Sequence, residues 1–261
     1  MEAWLQQTQD QFLGFLMILA RVSCVLIFAP VLGSDSVPVR LKVPLSLLLS
    51  FVVASALGFP VAGRAVQAMW VSSLAGEVLI GVAIGFVSGL AIAGCQLGGG
   101  LIGLQMGFGI VNVIDPMSNA QISLLDQFKF ILALLILLAT NGHHEILKAM
   151  ANSFGTIAPG EVILQNWTPH YLIDVSELIF IAGVRVAAPV VVALLLVSLA
   201  TGIISRTVPQ INFLVTGFAF RIGLGFLVLL FGVSFFATYV SGLFEDLPGQ
   251  LSILVRTFAG P

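Results

Sequence analysis

With 59% hydrophobic and 8% charged residues among 261, and a mean hydropathy of +1.12, the chain lacks the polar cover of a soluble domain, in which roughly a quarter of residues are charged. Ten Lys and Arg against twelve Asp and Glu give a formal charge of −2, with no basic run beyond Arg40 and Lys42, which excludes a nucleic-acid partner. The missing polar surface must face lipid or other protein.

The start of the chain has Glu2 and Asp10 and no base before Arg21, so it lacks the positive leading region of a cleavable secretory signal. Hydrophobic runs then fall at Phe12 to Ala29, Val43 to Ala62, Trp70 to Ala93, Phe128 to Thr140, Leu178 to Ile204 and Phe213 to Phe244. Most are near the roughly 20 residues that cross a bilayer core as helix. This predicts an all-α, multi-pass membrane-type protein with about six hydrophobic helical segments. Breaks carry turn chemistry: Pro30, Gly33, Pro38 and Pro44 at the first, Gly58-Phe59-Pro60 at the second, Asp115-Pro116 before the fourth run and Asn141-Gly142 after it. Extending the fourth run back to Ile122 includes Asp126 and Lys129, whose i,i+3 spacing lets them compensate each other. Residues 141–176 form a polar, extramembrane segment, read as a short amphipathic helix carrying Ile146, Leu147 and Met150 followed by a loop. The rest, 1–261, reads as one domain without internal repeats.

Lys and Arg do not accumulate on alternate loops: Arg40, Lys42, Lys129 and Arg206 fall on one side, Arg64, Lys148 and Arg256 on the other, so no orientation follows. A chain held mainly by partner subunits need not show that bias. Arg21, Glu77, Arg185 and Arg221 interrupt apolar runs, where a charge at a helix centre costs about 2.5 to 3.5 kcal/mol. They mark either a substrate path or buried charges satisfied by ion pairs and neighbouring subunits. Gly81, Gly85, Gly89 and Ala93 place four small residues on one helix face, a surface for close packing within the chain or between chains.

From Gly94 to Gly109 the sequence holds seven glycines and two glutamines, each interior glycine costing a helix up to about 1 kcal/mol relative to alanine. The β-branched run Ile110-Val111-Asn112-Val113-Ile114 then ends at Asp115-Pro116. Residues 94–117 are therefore predicted as a Gly-rich segment and a loop dipping into a cavity, or else a surface loop. His143-His144-Glu145 lacks the spacing and the further ligands of a metal site, no Gly-Lys-Ser/Thr follows the glycines, Cys24 and Cys95 both lie in apolar runs, and no catalytic constellation is visible. No metal, cofactor or enzyme activity is assigned.

Gly103-Leu104-Gln105-Met106-Gly107, Asp115-Pro116, Asn141-Gly142-His143, Pro189 ahead of Gly202, and Arg206-x-x-Pro209-Gln210 together resemble, in order and over nearly the whole chain, the R subunit of the type III secretion export gate, the FliR family, in its flagellar form. The resemblance implies a non-enzymatic subunit of the bacterial inner membrane and flagellar basal body, one copy per gate. Its partners would be several P and Q subunits, the export switch subunit and other apparatus proteins, with unfolded proteins as cargo. Its helices would form bent hairpins within a helical channel assembly. It further implies a channel plug at Phe108, Ile110, Val111, Val113 and Ile114, bounded by Gly107, Gly109, Asp115 and Pro116. The residues alone leave two other readings: a secondary transporter with a broken-helix midplane site and Glu77 as coupling group, and a passive membrane scaffold.

Overall fold

A computed structural model describes residues 2–34, 37–59, 69–108, 124–207 and 213–259; for 2–7, 207 and 213–216 it describes the backbone alone. The described residues form helices and turns without a strand: α1 (Glu2–Phe28), α2 (Val39–Ala56), α3 (Trp70–Met106), α4 (Leu124–Ala139), α5 (Gly142–Thr156), α6 (Thr168–Thr207), α7 (Phe213–Phe231), α8 (Val233–Glu245) and α9 (Leu247–Thr257). Four are long and apolar enough to cross a membrane, and six spans result if the broken pairs α4 with α5 and α7 with α8–α9 each count as one. Two compact units emerge: residues 1–89, 141–176 and 244–261, and residues 90–140 and 177–243.

In the first unit α1 buries Met17, Ile18, Arg21, Val22, Val25 and Leu26, a stripe with the 3.6-residue period that turns one helix face inward; Ala29, just past its end, is buried too. Its α2 neighbour is inverted. Ser46, Ser50 and Ala54 face inward, while Leu41, Val43, Leu47, Leu48, Phe51 and Val52 are exposed. Ser50 Oγ donates back to the Ser46 carbonyl at 2.6 Å, so the inner stripe needs no outside partner. Pro44 lies inside α2 rather than at its boundary: Pro38 precedes the helix, and the carbonyl that Pro44 leaves without its usual donor sits on the exposed first turns. Lys42 Nζ meets the Gly33 and Ser34 carbonyls at 2.9 and 3.0 Å, tying α2 to the turn that ends α1.

The polar segment is more helical than its composition suggests. Asn141 takes a left-handed conformation (φ 57°) between α4 and α5, α5 buries Ile146, Met150, Ser153 and Phe154, and residues 168–176 are already the start of the 40-residue α6. Between them, the Ile163 N–H donates to the Phe258 carbonyl, Gln165 Nε2 to the Ala259 carbonyl and Thr168 Oγ1 to the Thr257 carbonyl. These donors meet carbonyls that a helix end leaves without intrahelical partners, and they hold α9 by its C-terminus.

In the second unit Ile102 and Met106 of α3, Leu125 of α4, Ala187, Val190 and Leu194 of α6 and Leu229 of α7 form a buried cluster. From Gly94 to Met106 the Gly-rich stretch is not a loop, as its glycine content predicts, but the second half of α3. Neighbouring chain supplies the reason. A Cβ on Gly94 would stand 2.7 Å from Ala182 Cβ, one on Gly98 would stand 2.8 Å from the Gly183 carbonyl oxygen, and one on Gly99 would stand 2.6 Å from the Leu125 carbonyl oxygen. The glycines spend helix propensity on backbone-to-backbone approach by α6 and α4, the packing that substitutes for a hydrophobic driving force among apolar helices. The last apolar run is likewise divided, into α7 and α8, at Gly232.

Candidate functional site

Two arrangements stand out. The first is a buried ion pair in the first unit. Arg21 on α1 and Glu77 on α3 are each 0% exposed. Arg21 Nε donates to Glu77 Oε2 at 2.6 Å and Nη2 donates to Oε1 at 3.0 Å. The remaining guanidinium hydrogens go to Ser153 Oγ at 3.0 Å and to the Ile157 carbonyl at 3.4 Å from both Nη atoms. The Gly160 N–H completes the carboxylate at 2.7 Å, and the guanidinium lies 4.2 Å from the Phe154 ring centroid. This is the full donor complement of an arginine, met by a planar fork-to-fork pair with added hydrogen bonds, the condition under which buried charges are tolerated. It ties α1, α3, α5 and the turn after α5 together. Glycine at 160 matches its backbone, whose φ is +87°.

The flanking glycines set the approach of α1 to α3. A Cβ on Gly81 would stand 2.7 Å from the Arg21 carbonyl oxygen, and one on Gly85 would stand 2.5 Å from Phe28 Cβ. The close approach does not extend to Gly89, where a Cβ meets nothing within 4 Å; Ala93 is half-buried. Of the three glycines, Gly81 and Gly85 therefore set a helix contact and Gly89 does not.

The second arrangement is the end of α3. Gly107 has φ +94°, its N–H donates to the Leu104 carbonyl, and the Phe108 N–H donates to the Gly103 carbonyl. This pair of bonds defines a Schellman stop. A Cβ on Gly107 would also stand 2.5 Å from the Phe218 ring, so two independent constraints select glycine. Phe108 is half-buried and packs against the cluster around Met106 and Leu229. Gly109, Ile110, Val111, Val113, Ile114, Asp115 and Pro116 lie outside the described residues.

The other intramembrane charges differ from expectation. Lys129 is 4% exposed, but it forms no ion pair with Asp126; its Nζ lies 3.9 Å from the Phe236 ring centroid. Arg185 is exposed rather than buried, because α6 turns Ala182, Val186 and Ala187 into the core and leaves residue 185 outside. Its guanidinium lies 5.9 Å from the Tyr239 ring centroid. Arg221 is half-buried, with Nε lacking a hydrogen-bond acceptor among the described residues. Sequence reading found both members of the ion pair without pairing them, and it missed Ser153, Ile157 and Gly160. The one available signal was Pro159-Gly160, a turn dipeptide whose glycine points to positive φ.

Apolar helices of spanning length, interrupted by one fully satisfied buried ion pair and a backbone-defined helix stop, make this a multi-span membrane protein. The family described as bacterial export proteins, family 1, matches residues 12–247. The flagellar biosynthetic protein FliR of Bacillus subtilis (strain 168) is 32% identical over 90% of this chain and 92% of its own length. FliR of Escherichia coli (strain K12) is 30% identical over 96% and 97%, and FliR of Aquifex aeolicus (strain VF5) 26% over 97% and 98%. The chain belongs to the FliR family of bacterial export proteins.

Proposed function

We propose that the chain is a non-enzymatic subunit of the flagellar type III export gate, resident in the bacterial inner membrane at the basal body, that helps form and close the channel for unfolded proteins. The observation that carries this reading is the match to flagellar FliR proteins, covering nine-tenths or more of both this chain and its Bacillus and Escherichia relatives. P and Q subunits, the export switch subunit and other apparatus proteins are its partners. The exposed apolar face of α2 and the exposed Leu195, Leu196, Leu199 and Ile203 of α6 suit a chain whose solvent is lipid and other subunits. Glu77, held by Arg21 and Gly160, has the environment of a structural lock and not of a transporter's coupling group.

Closure falls to Phe108, Ile110, Val111, Val113 and Ile114, entered through the Gly107 stop and Gly109 and left at Asp115-Pro116. An apolar constriction excludes ions by dewetting and yields to a polypeptide driven through it; energy and cargo selection come from the partners. Deleting residues 110–114 is expected to make the reconstituted gate conduct ions at rest. Unchanged resting conductance in an assembled complex refutes the plug, and failure of the chain to co-purify with P and Q subunits refutes the gate reading altogether.

A further inference from the structure

The stop that ends α3 is held by more than its own backbone. Phe218, Ile222, Gly225 and Leu229 of α7 are spaced four, three and four residues apart and share one helix face. Each meets the end of α3 or the cluster that contains it. The Phe218 ring lies where a side chain on Gly107 would begin, and the Met106 side chain lies where one on Gly225 would begin: a Cβ there would stand 2.7, 2.8 and 2.9 Å from Met106 Cε, Sδ and Cγ. The end of α3 and the face of α7 thus each give one side chain and receive one over a glycine, at points about 10 Å apart along α7. Ile222 and Phe108 pack against the cluster that holds Met106 and Leu229. The exchange is confined to this face, since Gly217 and Gly223 of the same helix could carry a Cβ without meeting an atom within 4 Å.

A Schellman stop fixes the shape of a turn but not where the turn sits. The two interlocks supply the place. Met106 in the Gly225 notch sets the axial position of α3 against α7, and the ring over Gly107 keeps the stop from lifting or rotating. Close-packed contacts of this kind switch between discrete arrangements and do not deform continuously. We infer that Phe218 is a positioning residue for closure: seated on Gly107, it fixes the point from which the chain beyond Phe108 leaves α3, and unseating α7 from the stop releases the closed state. Phe218 acts through the stop, and the inference rests on the plug reading above.

The test uses the full chain co-expressed with the P and Q subunits, with the complex reconstituted into phospholipid vesicles. Phe218→Ala is expected to raise the resting potassium conductance per complex by about tenfold or more, the shift that follows when a closed state loses about 1.4 kcal/mol of its preference. Partner recovery and cargo export in cells are retained. Gly225→Leu, which expels Met106 from its notch, is expected to leak in the same way, whereas Gly223→Ala, on open helix surface, stays at the wild-type level. If Phe218 served packing alone, recovery and export would fall together and the complexes that still assemble would stay closed. That pattern, or assembled Phe218→Ala complexes with wild-type conductance, overturns the inference. Where Phe218→Ala does not assemble, Phe218→Leu decides, because it keeps most of the side-chain volume and loses the flat ring: a leak supports the inference and wild-type conductance overturns it. Deletion of residues 110–114, measured alongside, separates the two readings. A leak from the deletion with none from the Phe218 variants removes the inference alone, and no leak from the deletion removes the plug and the inference with it.

Discussion

Replacing Arg21 by Leu would leave Glu77, 0% exposed, with the Gly160 N–H as its single partner and would strip the Ile157 carbonyl of both its guanidinium donors. Removing one member of a buried pair costs about 3–5 kcal/mol, against a total stability of about 5–15 kcal/mol for a typical domain, so most of the folded margin is at stake. Glu77→Leu is expected to be milder toward the cation, because Arg21 keeps Ser153, Ile157 and the Phe154 ring, but it orphans the Gly160 N–H at about 1–3 kcal/mol. Removing both charges, as Arg21→Met with Glu77→Leu, leaves no unpaired ion and should fall short of the summed losses by about 1–3 kcal/mol. The charge exchange Arg21→Glu with Glu77→Arg is expected to fail: it points a guanidinium at the Gly160 N–H and a carboxylate at the Ile157 carbonyl, donor against donor and acceptor against acceptor. The readout is the temperature at which half of the detergent-purified protein remains monodisperse on size exclusion. Additive losses, full rescue by the exchange, or singles within about 0.5 kcal/mol of wild type would refute this account of the pair.

The small-residue stripe on α3 predicts a sharp positional contrast. Gly81→Leu and Gly85→Leu should separate α1 from α3 and lower the same thermal midpoint strongly, whereas Gly89→Ala, with open space at its Cβ, should be neutral or stabilising by up to about 1 kcal/mol through helix propensity. Gly107→Ala should cost about 1–2 kcal/mol for the left-handed backbone, plus displacement of the Phe218 ring. Gly58→Ala, with φ +72° and nothing within 4 Å, is expected to show the backbone cost alone, so equal losses at 58 and 107 would argue against the Phe218 contact.

The helical, membrane-type character was legible because composition and run length depend on local chemistry: every long apolar run named from the sequence lies within or overlaps a described helix. Misplaced boundaries have physical causes. Glycine content argues for a loop only when helix propensity is weighed alone; Gly94, Gly98 and Gly99 lie in a helix because α6 and α4 approach where a side chain would stand. Pro44 was read as a breaker, yet as the sixth residue of α2 its missing N–H leaves only the exposed Arg40 carbonyl, in the first turn, without a donor. Arg21 and Glu77 could be flagged by their cost in lipid, but their pairing spans 56 residues and its completion at Ser153 and Ile157 more than 130. No local pattern encodes such separations. Arg185 was misjudged for the opposite reason: an apolar sequence neighbourhood says nothing about which face of α6 turns inward.

The same separations set an order of events during synthesis. Arg21 leaves the ribosome 56 residues ahead of the carboxylate that neutralises it, and well over a hundred ahead of Ser153 and Ile157. An arginine in an otherwise apolar first span must in the meantime remain in water, snorkel toward an interface or find a temporary escort. The unit that finally buries it also takes in α9, whose last carbonyls are met by residues 163–168. Of the described helices α1 is thus made before the others and finished among the last, and the timing of its commitment to the membrane is set by chain that emerges long after it.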